Sequence, residues 1–136
     1  MAQVTNFSNF VYQVRMTILR GDTGGIIFRA TGGTAKYYSL SISQDGSYEL
    51  VKSVSASGAN DQVLLSGSTR AFKTGLNQAN LVAVVAQSNL LSLYVNKQYV
   101  AGVSDSSYTS GEIGVLAQDA TQPTEVAYSN AQVWQL

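Results

Sequence analysis

The side chains that could do chemistry are few, and their types exclude more than they offer. Among 136 residues there is neither cysteine nor histidine. A thiolate nucleophile, an imidazole base, a disulfide framework and the usual zinc sites are all excluded on that ground. The glutamates are Glu49, Glu112 and Glu125, and none has a second carboxylate at the alternate position of a strand. Glycoside hydrolysis needs two carboxyl groups roughly 5–10 Å apart, so no enzyme is expected. Loop oxygens hard enough for calcium occur at Asp22, Asp45, Asn60, Asp61, Asp105 and Asp119, but their spacing matches no calcium-loop motif. Asp22, Asp45 and Asp105 sit where a turn would use the carboxylate itself. Asn60, Asp61 and Asp119 are less well explained, and they are the candidate calcium ligands. No other cofactor is expected.

A different chemistry needs no ionisable catalyst. Sugars are held by aromatic faces packed on their C–H groups and by planar polar side chains exchanging paired hydrogen bonds. Residues of those types facing away from the apparent core are Gln13, Arg15, Arg29, Tyr37, Tyr94 and Asn96. Arg29 stands out as a charge in an otherwise apolar run. A solvated face, with Arg29 paired to an acid on a neighbouring strand, would use the same residues without any ligand. Of the eight tyrosines, Tyr12, Tyr38, Tyr48 and Tyr128 fall on core-side registers, while Tyr37, Tyr94, Tyr99 and Tyr108 are expected to be free.

The elements that must position these residues are strands. In Leu90–Val115, Leu91, Leu93 and Val95 alternate with Ser92, Tyr94 and Asn96, the period of a strand with one buried face. A tight turn follows at Asn96-Lys97-Gln98, then a returning strand, a polar loop and a further strand bracketed by Gly111 and Gly114. Tyr12, Val14, Met16 and Ile18 share a face, as do Tyr38, Leu40 and Ile42. Gly21–Gly25 and Thr31–Thr34 read as turns, and Asp45-Gly46 as a hairpin turn of type I′. Leu81–Gln87 is continuously apolar, as expected of a central strand covered on both faces. Ser129-Asn130 marks a bulge in the last strand. Apolar residues nowhere follow the helical period for three turns, so nine or ten short strands in one antiparallel β-sandwich or barrel are expected.

Composition agrees. Apolar residues make up 45% and charged residues only 12%, so the surface must be built from Ser, Thr, Asn and Gln. Eight basic and eight acidic side chains cancel, leaving no net field for nucleic acid or an anionic membrane. The apolar run Leu81–Ala86 is far short of the roughly 20 residues of a membrane helix. No signal peptide is visible after Met1-Ala2, yet low charge and abundant Ser, Thr and Asn lean towards an extracellular or cell-surface setting.

Several stretches then carry a resemblance: Gly24-Gly25-Ile26-Ile27-Phe28-Arg29, Tyr37-Tyr38 and Asp45-Gly46-Ser47-Tyr48, with Gly111-Glu112-Ile113-Gly114 and Tyr128–Trp134 further on. The chain, from about Phe7 to Leu136, resembles the concanavalin A-like jelly rolls. More narrowly it is similar to the laminin G-like and keto-disaccharide hydrolase-like domains of bacterial multidomain proteins. The resemblance implies a two-sheet jelly roll and a non-catalytic module recognising a glycan or cell-surface polymer. Hydrolases of this fold carry two glutamates flanking an aspartate on one strand, a pattern absent here. Domains of the group usually begin with a Trp-containing strand before the Phe7 position. Its absence implies either a chain cut from a longer protein or an open sheet edge, and the second keeps alive a homo-oligomer assembled through edges or faces.

Overall fold

Period-two alternation of apolar and polar residues makes nearly the whole chain strand. The computed structural model describes residues 8–31, 36–55, 61–118 and 123–136, and all its regular elements are β. They are β1 (Phe10–Arg20), β2 (Thr23–Ala30), β3 (Tyr37–Ser43), β4 (Ser47–Ser53) and β5 (Gln62–Ser68), followed by β6 (Ala79–Gln87), β7 (Leu90–Val95), β8 (Gln98–Ser104), β9 (Glu112–Gln118) and β10 (Glu125–Gln135). They form two five-stranded antiparallel sheets. The first runs β10-β1-β6-β7-β8 and the second β5-β4-β3-β2-β9. The chain is thus a two-sheet β-sandwich of jelly-roll type, as its alternation and resemblance implied.

The core is what alternation predicts. Tyr12, Val14, Met16 and Ile18 of β1 are buried, and so are Val82, Val84, Leu91, Leu93 and Val95 of the same sheet. From the second sheet Ile26, Phe28, Tyr38, Leu40, Ile42 and Leu50 meet them. Aromatic contacts run through the layer from Phe10 to Phe28 (6.3 Å between centroids), Phe28 to Tyr38 (5.4 Å) and Tyr38 to Tyr108 (5.1 Å). Two hydroxyls tie the sheets together near β9. Tyr12 donates to the Gly114 carbonyl at 3.0 Å. Tyr128 accepts from the Gly25 amide at 2.9 Å and lies against the Gly25 and Leu116 carbonyls.

Three local expectations are corrected. The turn expected at Gly21–Gly25 ends at Asp22, and Gly24 and Gly25 belong to β2. Gly25 runs so close to β3 that an added Cβ would strike the Leu40 carbonyl; here glycine serves close packing rather than a bend. The Asp45-Gly46 hairpin has positive φ at Gly46 (88°) but not at Asp45. It is therefore the three-residue loop with a left-handed glycine, not type I′. The Asp45 carboxylate accepts from the Ser47 hydroxyl (2.6 Å) and amide (2.9 Å), which hold it below the usual carboxylate range. Type I′ geometry occurs instead at Asn96-Lys97, with φ of 51° and 69°. Finally, β6 is central in its sheet, but no further layer covers its outer face among the described residues. The expected bulge in β10 is present, with Asn130 at φ 54° and a register shift opposite Gln13/Arg15. The glycine turn at 32–34 and Phe7 lie outside the described residues.

Candidate functional site

In a sandwich the inner faces make the core and the outer faces are what a partner can touch. Strand register arranges each outer face in cross-strand rows. On the second sheet one row reads Ser66–Glu49–Ser41–Gly25–Leu116, and the next Val63–Val51–Ser39–Ile27–Gly114. Above them lies a groove of about 360 Å³. Ile27, Val51 and Val63 give it apolar patches, Ser39 and Ser41 give hydroxyls, and Tyr37, Asp61 and Glu49 line it as well. A second depression of about 290 Å³ shares Ser41 and Glu49 and continues past Ser43, Ser47 and Ser66. Together they make a trough across the sheet in which hydroxyl and carboxylate oxygens alternate with aliphatic side chains.

A hydrogen-bond network holds one end of that trough. Tyr108 donates its hydroxyl to the Ser53 carbonyl at 2.6 Å, and its amide donates to the Tyr38 hydroxyl at 3.2 Å. Tyr38 in turn donates to the Asp105 carboxylate at 2.5 Å. Burial, reinforced by that bond, pushes the Tyr38 phenol up to about 12. Burial would raise Asp105, but the Tyr38 hydroxyl and the Ser107 amide outweigh it and keep the carboxylate low. Lys52 closes the network by donating to the Ser107 hydroxyl at 3.0 Å. Tyr108, expected to be free, is thus a structural tether.

Arg29 was expected to face outward, and the structure corrects this. A bulge interrupts β2 between Ile27 and Ala30, with Arg29 at φ 50°, and one extra residue turns its side chain inward. Arg29 is 1% exposed. It donates Nη2 and Nε to the Ser8 carbonyl at 2.6 and 3.2 Å, and Nη1 to the Tyr108 carbonyl at 3.1 Å. Burial lowers its pKa against the opposing pull of Tyr38. It clamps the Ser8 and Tyr108 segments, and no acid meets it among the described residues.

The remaining candidates divide between the two faces. Tyr37 and Asp61 line the trough, whereas Gln13, Arg15, Tyr94 and Asn96 gather on the outer face of the first sheet. There the central row is Gln132–Gln13–Ala83–Tyr94–Tyr99. Gln13 donates to Gln132 at 3.2 Å, and the Tyr94 and Tyr99 rings meet edge to face at 5.6 Å. Val11, Leu81, Ala83 and Val85 floor a depression of about 270 Å³, flanked by Gln13, Tyr94 and Lys97. A neighbouring one of about 160 Å³ shares Leu81 and is lined by Arg15, Lys73 and Asn96. Asn96 is committed to the fold. Its Oδ1 accepts from Leu81 at 2.9 Å, and its Nδ2 donates to Ala71 at 2.7 Å and to Asn80 at 2.8 Å.

Asn60 and Asp119, expected to hold calcium with Asp61, lie outside the described residues. Asp61 itself is exposed. Among the described residues no three acidic side chains gather around one point. The sequence reading passed over Glu49, Ser39 and Ser41, although a signal existed. Ser39, Ser41 and Ser43 alternate with Tyr38, Leu40 and Ile42, which puts a hydroxyl at every outward position of β3.

No family model and no curated protein sequence matches the chain. Solved structures do. Carbohydrate-binding module CBM66 from Bacillus subtilis superposes with a TM-score of 0.79 at 20% identity, over 94% of this chain and 76% of that one. The galectin LEC-6 of Caenorhabditis elegans gives 0.69 at 13%, over 98% and 93%. A provisionally named glycosyl hydrolase from Parabacteroides distasonis gives 0.68 at 12%, over 96% and 80%. These likenesses show the fold, a two-sheet jelly roll shared with those structures.

Proposed function

We propose that this chain is a non-catalytic carbohydrate-recognition module that takes a glycan or cell-surface polymer along the outer trough of its second sheet, in an extracellular setting. The observation that carries the reading is the trough itself. Carboxylate oxygens of Glu49 and Asp61 and hydroxyls of Ser39 and Ser41 border the aliphatic Val51 and Val63, with the Tyr37 ring beside Ser53 at one end. A pyranose presents this combination in mirror image, hydroxyls on its rim and C–H groups on its faces, and such mixed lining is how small-molecule sites fix orientation. The solved lectin-like neighbours support the same class. The continuation past Ser43 and Ser66 suits the interior of an extended chain.

Recognition is favoured over hydrolysis by spacing. Asp61 precedes Gln62, which pairs with Lys52, so Asp61 lies level with Ser53, four residues along β4 from Glu49. Four residues of strand are about 13 Å, and a catalytic carboxylate pair stands roughly 5–10 Å apart. A glycan array run with and without calcium, followed by calorimetry on the best neutral ligand, tests the reading. Glu49→Gln and Tyr37→Ala should each weaken binding about tenfold, the worth of one good contact. Release of reducing sugar from a bound polymer, or full affinity in the double variant, would overturn it.

A further inference from the structure

The chain's formal net charge is zero, yet its charges are segregated. Around Leu81 on the first sheet's outer face stand Arg15, Lys73 and Lys97, and no carboxylate lines either depression there. None of the three cations meets an acid among the described residues. We infer that this face is a second binding site, for an acidic glycan. A sugar ring rests on the apolar floor beside Tyr94, and its carboxylate or sulfate is taken by Arg15, Lys73 and Lys97.

Three observations carry this. First, the cations are presented by a rigid frame. Asn80 is 1% exposed; its Oδ1 accepts from the Lys73 amide at 2.8 Å and its Nδ2 donates to the Lys73 carbonyl at 3.0 Å. The same Oδ1 accepts from Asn96, whose backbone begins the turn carrying Lys97. The buried Asn80 and the half-buried Asn96 therefore fix both lysine-bearing segments through one carboxamide pair, and a preformed frame lowers the ordering cost of binding. Second, Arg15 offers a planar fork that matches carboxylate and sulfate oxygens. Third, the cations border an apolar floor with Tyr94 as an aromatic wall, and Gln13, two strands across from Tyr94, flanks the same depression. A second copy pairing symmetrically through this face would set like charges against one another, which favours a free anionic ligand as the occupant.

The test uses the full chain with four probes in calorimetry: a heparin-derived oligosaccharide, polygalacturonate, duplex DNA, and the best neutral glycan from the array. The acidic glycans should bind, more weakly as salt rises. Which of them binds, or whether both do, identifies sulfate or carboxylate as the anion read. Arg15→Gln, Lys73→Gln and Lys97→Gln combined should cost at least about tenfold on the acidic glycan, leaving the melting temperature and neutral binding unchanged. Glu49→Gln should do the reverse, so failure of either site is seen separately. The inference is overturned if neither acidic glycan binds, if the triple variant binds them normally, or if DNA is preferred. Light scattering that shows self-association through this face would overturn it too.

Discussion

The two outer faces share a plan, five strands with side chains in cross-strand rows, yet they carry opposed chemistry. The second sheet sets serine hydroxyls and two carboxylates among Val51, Val63 and Ile27. The first sets three cations around an aliphatic floor with Tyr94. Overall neutrality conceals this, since a field acts locally and net charge is only its sum. The faces also differ in how they are braced. The trough is held at one end through Tyr108, Tyr38 and Asp105, the cationic face from beneath through Asn80 and Asn96.

That contrast can be broken or sharpened by substitution. The largest effect is expected where both faces share support. Arg29→Met strands the Ser8 and Tyr108 carbonyls and should cost about 3 kcal/mol in denaturant unfolding, with no effect on ligand affinity at temperatures where the variant remains folded. Next comes Asn80→Ala, which frees the Lys73 segment and leaves the Asn96 amide short of a partner. It should cost about 2 kcal/mol and weaken acidic-glycan binding while sparing the trough, a split that calorimetry would show. If both sites fell together, the faces would not be independently braced.

The smallest effect near neutrality concerns the buried phenols. Burial lifts Tyr12 and Tyr38 from 10.0 to about 12 in the fold. A raised pKa favours the protonated form, so their contribution is complete below pH 10 and is lost as pH rises from 10 towards 12. Denaturation midpoints should fall across that window, and Tyr12→Phe should flatten the fall. Because Tyr12 reaches from the first sheet to the Gly114 carbonyl of the second, both faces should weaken together there. An unchanged midpoint up to pH 12 would contradict the assignment.

Most of the fold was legible because alternation is a direct record of which side chains are buried. The alternating run from Leu91 to Val95 and that from Tyr38 to Ile42 placed two strands nearly to the residue. Alternation fails where the backbone breaks step. One bulge residue sent Arg29 inward, and nothing in its neighbours announced it. Gly24 and Gly25 read as a turn because glycine's use in close sheet packing looks the same in sequence as its use in a bend. The site was half legible for a related reason. Periodicity marks outward residues but not which outer face they share, so Gln13 and Tyr94 on one sheet and Tyr37 on the other were grouped together. Lys73 lies in the irregular segment between β5 and β6 and Lys97 in a turn, beyond the reach of a strand-based reading.

The ties between the sheets have a mechanical meaning. A domain gripping one polymer on each face is loaded in shear, with tension entering by one sheet and leaving by the other. Interleaved aliphatic side chains can slide past one another at modest cost, whereas directional bonds across the gap cannot stretch far. Tyr12 and Tyr128 form such bonds beside β9, and the 105–108 loop forms others to Tyr38, Lys52 and Ser53. With both proposed sites occupied, force would be shared between two separate lines of fasteners, and the sandwich would act as a stiff coupling.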